Sequence, residues 1–453
     1  MVGRNSILML LVSYVFMMDT LDSAMIATPL PLIARDLGVD PVDAKGALTA
    51  YFLATAALIP ASNWLADRFG PRRVFVTAIG LFLAGSFLCA VASTFPALIA
   101  ARAVEGAGSA LLFPIGRAIL MRSVAKRELV RVVASASLLP ALAQVVGPVL
   151  GGYVATYFDW RLLFLINGPI GLTALVLALA LVPKDAAPSR LSFDGVGFAL
   201  SSLGILVLGG GLTALGGRMI APEVSAALSA VGVLLLALYM RHARRAASPV
   251  LDLSLFRYGT FRIAVGSTFV VRAAVVGALP FLLPMLLQVG FGLTPFESGT
   301  ITVAGAVATL LSRFAIGPTL RWSGFRGFLT TTALSGAIAM LAFAFIGETT
   351  PHLVIMAIIF VGSLLRVLQI QGIEAMIFSE VRHAEMGQAS SSLSVVKQLA
   401  ASAGVAYAAL SVQGSGDFRT AIVLVAIPLG LTALLALRLS PEDGAEIAGR
   451  LRR

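Results

Sequence analysis

Long apolar runs follow one another along almost the whole chain and constrain its fold more than any other feature. Each run is close to the roughly 20 residues that an α-helix needs to cross the hydrocarbon core of a membrane. Apolar residues make up 58 % of the 453 and charged residues only 12 %, whereas a soluble domain carries about 25 % charged residues. A membrane barrel would show alternating segments of about ten residues, and the sequence lacks them. The chain is therefore predicted to be an all-α membrane protein.

Turn and charge clusters separate the apolar runs into fourteen predicted spans. The longest connection, about 242–260, is too short to fold as an independent domain. We number the spans 1 to 14 in chain order: 7–29, 46–66, 74–94, 97–119, 132–155, 162–182, 194–215, 222–241, 261–287, 297–319, 327–347, 352–375, 387–411 and 418–438.

Basic residues are distributed unevenly over the connections between spans. With the N-terminus placed inside, five of the 33 Lys and Arg are embedded in spans away from the span ends and five lie at the outer side, which leaves 23 at the cytoplasmic side. This is the bias that the positive-inside rule demands, and it explains the net charge of +11 without a nucleic-acid partner. We therefore expect a multi-pass protein of the plasma (bacterial inner) membrane with both termini in the cytoplasm.

Two connections at equivalent places resemble each other. The connection after span 2, residues 63–73, and that after span 10, residues 317–326, align so that Gly70 matches Gly324. Such a repeat is typical of transporters built from two halves around a midplane site. The predicted domains are an N-terminal six-helix bundle (1–185), an inserted two-helix linker (186–245), a C-terminal six-helix bundle (246–440) and a cytoplasmic tail (441–453).

Four ionisable residues in the first half are spaced to share helix faces. Asp19 and Asp22 are three residues apart on span 1, as are Arg102 and Glu105 on span 4, and residues at this spacing are neighbours on a helix. A charge at the helix centre costs about 2.5–3.5 kcal/mol, so these groups are expected to pair or to line a wet cavity.

Repulsion between two carboxylates on one dry face favours protonation of one of them. Asp22 is therefore the first candidate for a proton carrier and Asp19 the second, with a structural pair neutralised by Arg102 as the alternative. For span 4 the alternatives are an intrahelical salt bridge, or a relay in which Arg102 switches between Glu105 and the span-1 carboxylates.

The embedded charges of the second half are mainly basic. Arg272, Arg366 and Lys397 outnumber the acid Glu374, and a low dielectric strengthens their attraction for anions. We expect anionic, zwitterionic or neutral amphiphiles to be preferred over quaternary cations, with helix packing as the alternative role of each basic residue. The predicted substrate cavity consists of these three and the polar residues Gln144, Gln288 and Gln369.

The small residues in span 5 are typical of an interface between helices that move relative to each other. Gly147, Gly151 and Gly152 permit close helix approach, and Pro148 frees a carbonyl group and kinks the helix. Plain close packing is the alternative interpretation.

Six segments in chain order resemble the fourteen-spanner drug:proton antiporters of the major facilitator superfamily (EmrB/QacA type). Asn63 replaces the usual leading Gly of the gating motif, and Glu105 stands where Gln is customary, which adds a titratable site. The segments are Leu21 to Pro31, the loop at 63–73, Arg102 to Gly108, Gly147 to Gly152, Asp159 to Gly171 and Pro249 to Arg257.

The resemblance implies the major-facilitator fold, with two six-helix halves plus an inserted helix pair, and proton-driven export by alternating access. It implies an antiporter motif at Gly147–Gly152 and a cytoplasmic latch at 63–73; solvated loop charge is the alternative for the latter. The latch residues are Asp67, Arg68, Gly70, Arg72 and Arg73.

The predicted function is proton-coupled efflux of amphipathic small molecules or drugs. The alternatives are export of an organic anion or weak acid, and a membrane sensor that transports nothing. The sequence contains no HExxH, GxSxG, Walker loop or Cys/His cluster, motifs that would indicate enzymes or metal sites. We therefore expect neither enzyme activity nor a metal or cofactor. The expected partners are the substrate, protons and the bilayer, with a periplasmic adaptor left open.

Overall fold

The computed structural model describes residues 4–123, 136–183, 193–215, 220–246, 249–251, 253–377 and 386–440. Thirteen helices in these ranges are long and apolar enough to cross a membrane. One of them, Pro295–Phe345, has 51 residues, more than twice the roughly 20 that one crossing needs. Helical geometry breaks inside it at Gly324, so it comprises spans 10 and 11. The prediction of fourteen spans is confirmed.

The spans begin and end within a few residues of the predicted bounds, although the predicted start of span 5 at residue 132 lies outside the described residues. A short helix that was not predicted, Leu30–Asp36, follows span 1. The spans are formed by Arg4–Ala27, Lys45–Phe69, Pro71–Ala90, Phe95–Ser123, Leu138–Tyr157, Leu162–Leu181, Gly195–Leu215, Pro222–Ala243, Gly259–Gly290, Pro295–Phe345 (spans 10 and 11), His352–Ile377, Met386–Ser415 and Phe418–Leu437.

The two aligned glycines occupy the same kind of turn. Gly70 has φ 89° and ψ 142° between spans 2 and 3, and Gly324 has φ 69° and ψ 170° between spans 10 and 11. A side chain disfavours positive φ, which glycine adopts freely. Both turns reverse the chain at a single residue, which supports the repeat inferred from the alignment.

Helix packing divides the spans into two sets, 1–6 and 9–14, that meet along two seams. Span 5 packs on span 10 along one seam, and span 2 packs on span 13 along the other. Spans 7 and 8 pack on each other, and span 7 lies against spans 2 and 13. The Ser202 hydroxyl of span 7 donates to the Ala57 carbonyl of span 2 at 2.6 Å. The proposed boundary at 185/186 and the tail 441–453 lie outside the described residues, so the domain division stays a prediction.

Candidate functional site

A buried ion cluster joins spans 1 and 4 in the first half. Arg102 Nη1 lies 2.7 Å from Asp22 Oδ2 and 2.7 Å from Glu105 Oε2. The three side chains are at most 2 % exposed. Arg102 thus contacts both acids at once, so the intrahelical bridge and the contact with span 1 coexist in this conformation.

Asp19 is connected to this cluster through span 2. The Tyr51 hydroxyl donates to Asp19 Oδ1 at 2.7 Å and also lies 2.7 Å from Ser109 Oγ. The Arg102 guanidinium stands 4.5 Å from the centre of the Tyr51 ring, close enough for a cation–π interaction. One aromatic side chain therefore touches both the outlying acid and the shared cation.

Asn167 of span 6 completes the cluster. Its amide donates to Asp22 Oδ1 and to Ser86 Oγ, each at 2.9 Å. The sequence analysis gave Asn167 no role beyond its place in a motif, and it missed Tyr51 altogether. In the sequence, each of these two is a polar residue within an apolar span. That pattern does not show which neighbouring helix the side chain faces.

The cluster holds more acid than base. Asp19, Asp22 and Glu105 share the single cation Arg102, and all four are at most 6 % exposed. If every group were ionised, two negative charges would stay uncompensated. Burying an uncompensated ion costs several kcal/mol, so such groups neutralise instead. The cluster therefore retains at least one proton in this conformation.

Hydrogen bonding distinguishes the acids of the cluster. Asp22 accepts at both oxygens, from Asn167 and from Arg102. Glu105 Oε1 has no hydrogen-bond partner among the described residues. Asp22 is therefore held at both oxygens, whereas Glu105 is held at one.

A second ion cluster joins spans 9, 12 and 13. Arg272 Nη2 and Lys397 Nζ contact the same oxygen, Glu374 Oε1, at 2.9 and 2.7 Å. These side chains are 22–33 % exposed. Arg272 directly precedes the π-helical turn Ala273–Ala278, an irregularity often found at functional sites. The structure thus brings together two of the three cations predicted for a substrate cavity.

Arg366 does not join them. It is 1 % exposed and contacts Ser363 Oγ of its own helix at 3.2 Å. A Cβ added at Gly336 of span 11 would lie 3.4 Å from Arg366 Cγ. Its side chain is enclosed between spans 11 and 12 and makes no contact with Arg272 or Lys397, so its assignment to the substrate cavity stays a prediction.

The three predicted glutamines are also dispersed. Gln369 donates to Thr432 Oγ1 of span 14 at 2.8 Å, within the second set of spans. Gln288 donates to the Thr28 carbonyl at the end of span 1 at 2.6 Å, which links the two sets. Gln144 on span 5 is exposed. Their assignment to one cavity stays a prediction.

The residues of the predicted latch surround the turn at Gly70. Asp67 and Arg68 end the helix before it, and Arg72 and Arg73 begin the helix after it. Arg72 donates to the Leu179 carbonyl of span 6. This loop is therefore tied to the first set of spans, and its role as a latch stays a prediction.

The four residues of the predicted antiporter motif make two kinds of contact. A Cβ on Gly151 would lie 3.0 Å from Met25 Cα on span 1, three residues beyond Asp22. A Cβ on Gly152 would lie 2.9 Å from the Pro295 carbonyl carbon on span 10. The motif thus packs against the helix that carries the acids and also against the other half. Gly147 faces Ala24, and the Pro148 backbone faces Gly299.

Comparisons with known proteins agree with this architecture. A family model described as Major Facilitator Superfamily matches residues 11–405. A putative multidrug resistance protein MdtD of Klebsiella pneumoniae is 33 % identical over 400 residues, covering 88 % of this chain and 84 % of the relative. The protein of the same name from Escherichia fergusonii is 32 % identical with the same coverage.

Solved structures share the fold at low sequence identity. The D-xylose-proton symporter superposes with a TM-score of 0.71 at 15 % identity, covering 97 % of this chain and 99 % of the symporter. The human organic anion transporter MFSD10 superposes with a TM-score of 0.62 at 14 % identity, covering 96 % and 100 %.

Proposed function

The chain belongs to the Major Facilitator Superfamily, within its drug:proton antiporter family, and we propose that it exports amphipathic small molecules in exchange for protons. The relatives named as multidrug resistance proteins support the drug-efflux assignment. Transport takes place across the plasma (bacterial inner) membrane by alternating access of a site between the two halves. The proton gradient supplies the energy, and no cofactor takes part.

The observation that carries the proposal is the acid-rich cluster around Arg102. Three enclosed carboxylates share one cation, so the number of bound protons changes when the cluster gains or loses access to water. Asp22 is the first candidate for the exchanging acid, with Asp19 and Glu105 as the others. A proton on Asp22 cancels its charge and weakens the contact that holds Arg102 against span 1.

Packed residues connect the segment that carries Asp22 to the seam between the halves. Asp22 lies on span 1 just before Ala24 and Met25, the residues on which Gly147 and Gly151 of span 5 pack. The next residue, Gly152, meets Pro295 of span 10. A change at Asp22 thus acts on a helix segment that supports the moving contact.

The excess of Lys and Arg in the predicted cytoplasmic connections indicates which side of the membrane this part of the seam faces. With both termini in the cytoplasm, the end of span 5 and the start of span 10 face the periplasm. There the Phe296 amide donates to Thr156 Oγ1 at 3.0 Å, and Gln288 donates to the Thr28 carbonyl. This conformation is therefore closed toward the periplasm.

The test uses proteoliposomes with an imposed pH gradient, in which substrate and proton fluxes are measured together. Asp22→Asn should keep substrate binding but lose uphill flux, because a neutral isostere cannot release a proton. Asp159→Asn, an exposed acid outside the cluster, is the matched control and should retain flux. If uphill flux survives in Asp22→Asn but is lost in Glu105→Gln, the exchanging acid is on span 4. If uphill flux survives in both variants, the cluster takes no part in proton coupling.

A further inference from the structure

We propose that three cations contributed by both halves bind the anionic group of the exported amphiphile, so that the transported class is organic anions. They are Arg272 and Lys397 of the second half and Arg117 of span 4 in the first half. This inference rests on the proposed function because it names the charge of the molecule that is exported.

The cations outnumber the acid among them. Arg272 and Lys397 share Glu374 Oε1, and both Arg272 and Arg117 lie close enough to interact electrostatically with Lys397. None of the ion pairs between described residues involves Arg117. With one carboxylate among three cations, two positive charges stay uncompensated, and an incoming anion would compensate one of them.

Donors for such an anion are already in place. Arg272 Nε has no hydrogen-bond partner among the described residues, and the Lys397 ammonium carries three N–H donors, one of which the Glu374 contact uses. The side chains are partly exposed, in contrast to the enclosed cluster of the first half. Hydrogen bonds between ionised partners are roughly twice as strong as neutral ones, which makes a carboxylate a well-matched ligand.

The acids of the first half offer little to a competing cationic substrate. Asp22 and Glu105 are bound to Arg102 and at most 2 % exposed, and Asp19 accepts from Tyr51. A cation would have to displace Arg102 or a proton to reach them. The anion subsite needs no such displacement.

The experiment measures binding of three matched probes to the purified full chain: 1-naphthylacetate, its methyl ester and a naphthylmethyl trimethylammonium ion. The acid should bind more tightly than the other two. Arg117→Gln, which leaves no carboxylate without its partner, and Lys397→Gln should each raise the Kd of the acid at least tenfold and leave that of the ester unchanged. Lys397→Arg should retain acid binding, which separates charge from folding. Arg438→Gln, a basic residue at the end of span 14, is the control and should change nothing.

The possible results test the inference and the proposed function separately. If the ester or the cation binds as well as the acid, or if acid binding is unchanged in both glutamine variants, the inference is overturned. Gradient-driven flux of the ester or the cation would then leave the proposed function intact. If the acid binds with the expected variant pattern but a pH gradient drives no flux of any probe, the anion site stands and the proposed exchange with protons fails.

Discussion

Replacing Gly152 with alanine should hold open the end of the seam where span 5 meets the start of span 10. The added Cβ would lie 2.9 Å from the Pro295 carbonyl carbon and 3.0 Å from Phe296 Cα, whereas ordinary contact begins at 3.4 Å. The Pro295 carbonyl oxygen would lie closer still, and all three obstructing atoms belong to the backbone, so no flexible side chain can move aside. Spans 5 and 10 must separate by at least the 0.5 Å between 2.9 and 3.4 Å.

This clash is expected to destabilise only the closed conformation. Overpacking costs about 1–3 kcal/mol, and we expect spans 5 and 10 to be in contact here only while this end is closed. A free energy of about 1–3 kcal/mol corresponds to roughly a 5- to 150-fold change in an equilibrium constant. The ratio of the closed to the open conformation should fall by that factor, and the transport rate should fall with it.

Cysteine labelling measures the shift directly. Ser298 at the start of span 10 is fully buried, so Ser298→Cys should react with a membrane-impermeant thiol reagent when this end opens. Gly152→Ala in that background should raise the labelling rate. Gly299→Ala should do the same, because its Cβ would lie 3.0 Å from the Pro148 carbonyl carbon. Gly168→Ala is the control, since its Cβ would meet nothing within 4 Å. Unchanged labelling in both seam variants would refute the reasoning.

Three further predictions concern the ends and loops of the bundle. Asp67→Asn should strongly reduce transport while membrane insertion, measured as protein amount, stays normal; a normal rate would reduce the loop to a topogenic signal. Tags on both termini should be protected in right-side-out vesicles, and exposure of either would refute the orientation. The Trp160 indole and the Arg161 guanidinium hold the pKa of Asp36 below its usual value. Their contact should therefore persist at mildly acidic pH and weaken only as the pH falls through that lowered pKa. Tryptophan fluorescence should show this transition in the wild type and not in Asp36→Asn.

The sequence predicted the positions of the helices better than it predicted which side chains contact one another. Apolar length alone identified the spans, and the alignment of Gly70 with Gly324 found two equivalent turns. Helical spacing also brought Arg102 and Glu105 together. The same reasoning could not separate Arg366 from Lys397, because each is a single cation in an apolar helix. In a membrane the lipid is as apolar as the protein interior, so periodicity does not show which face of a helix meets a neighbour.

The two ion clusters share no residue, and this restricts how export can be coupled to protons. The proton-binding acids lie on spans 1 and 4, whereas the proposed anion subsite centres on Arg272 and Lys397 in the other half. Direct competition for one group is therefore excluded between these sites, and coupling has to pass through the equilibrium between conformations. A ligand shifts that equilibrium only by its differential affinity for the two states. Because such coupling is reciprocal, a substrate that binds more weakly when the cluster is protonated must weaken proton binding by the same factor. A clash at Gly152 should then slow substrate and proton fluxes together without touching either binding site.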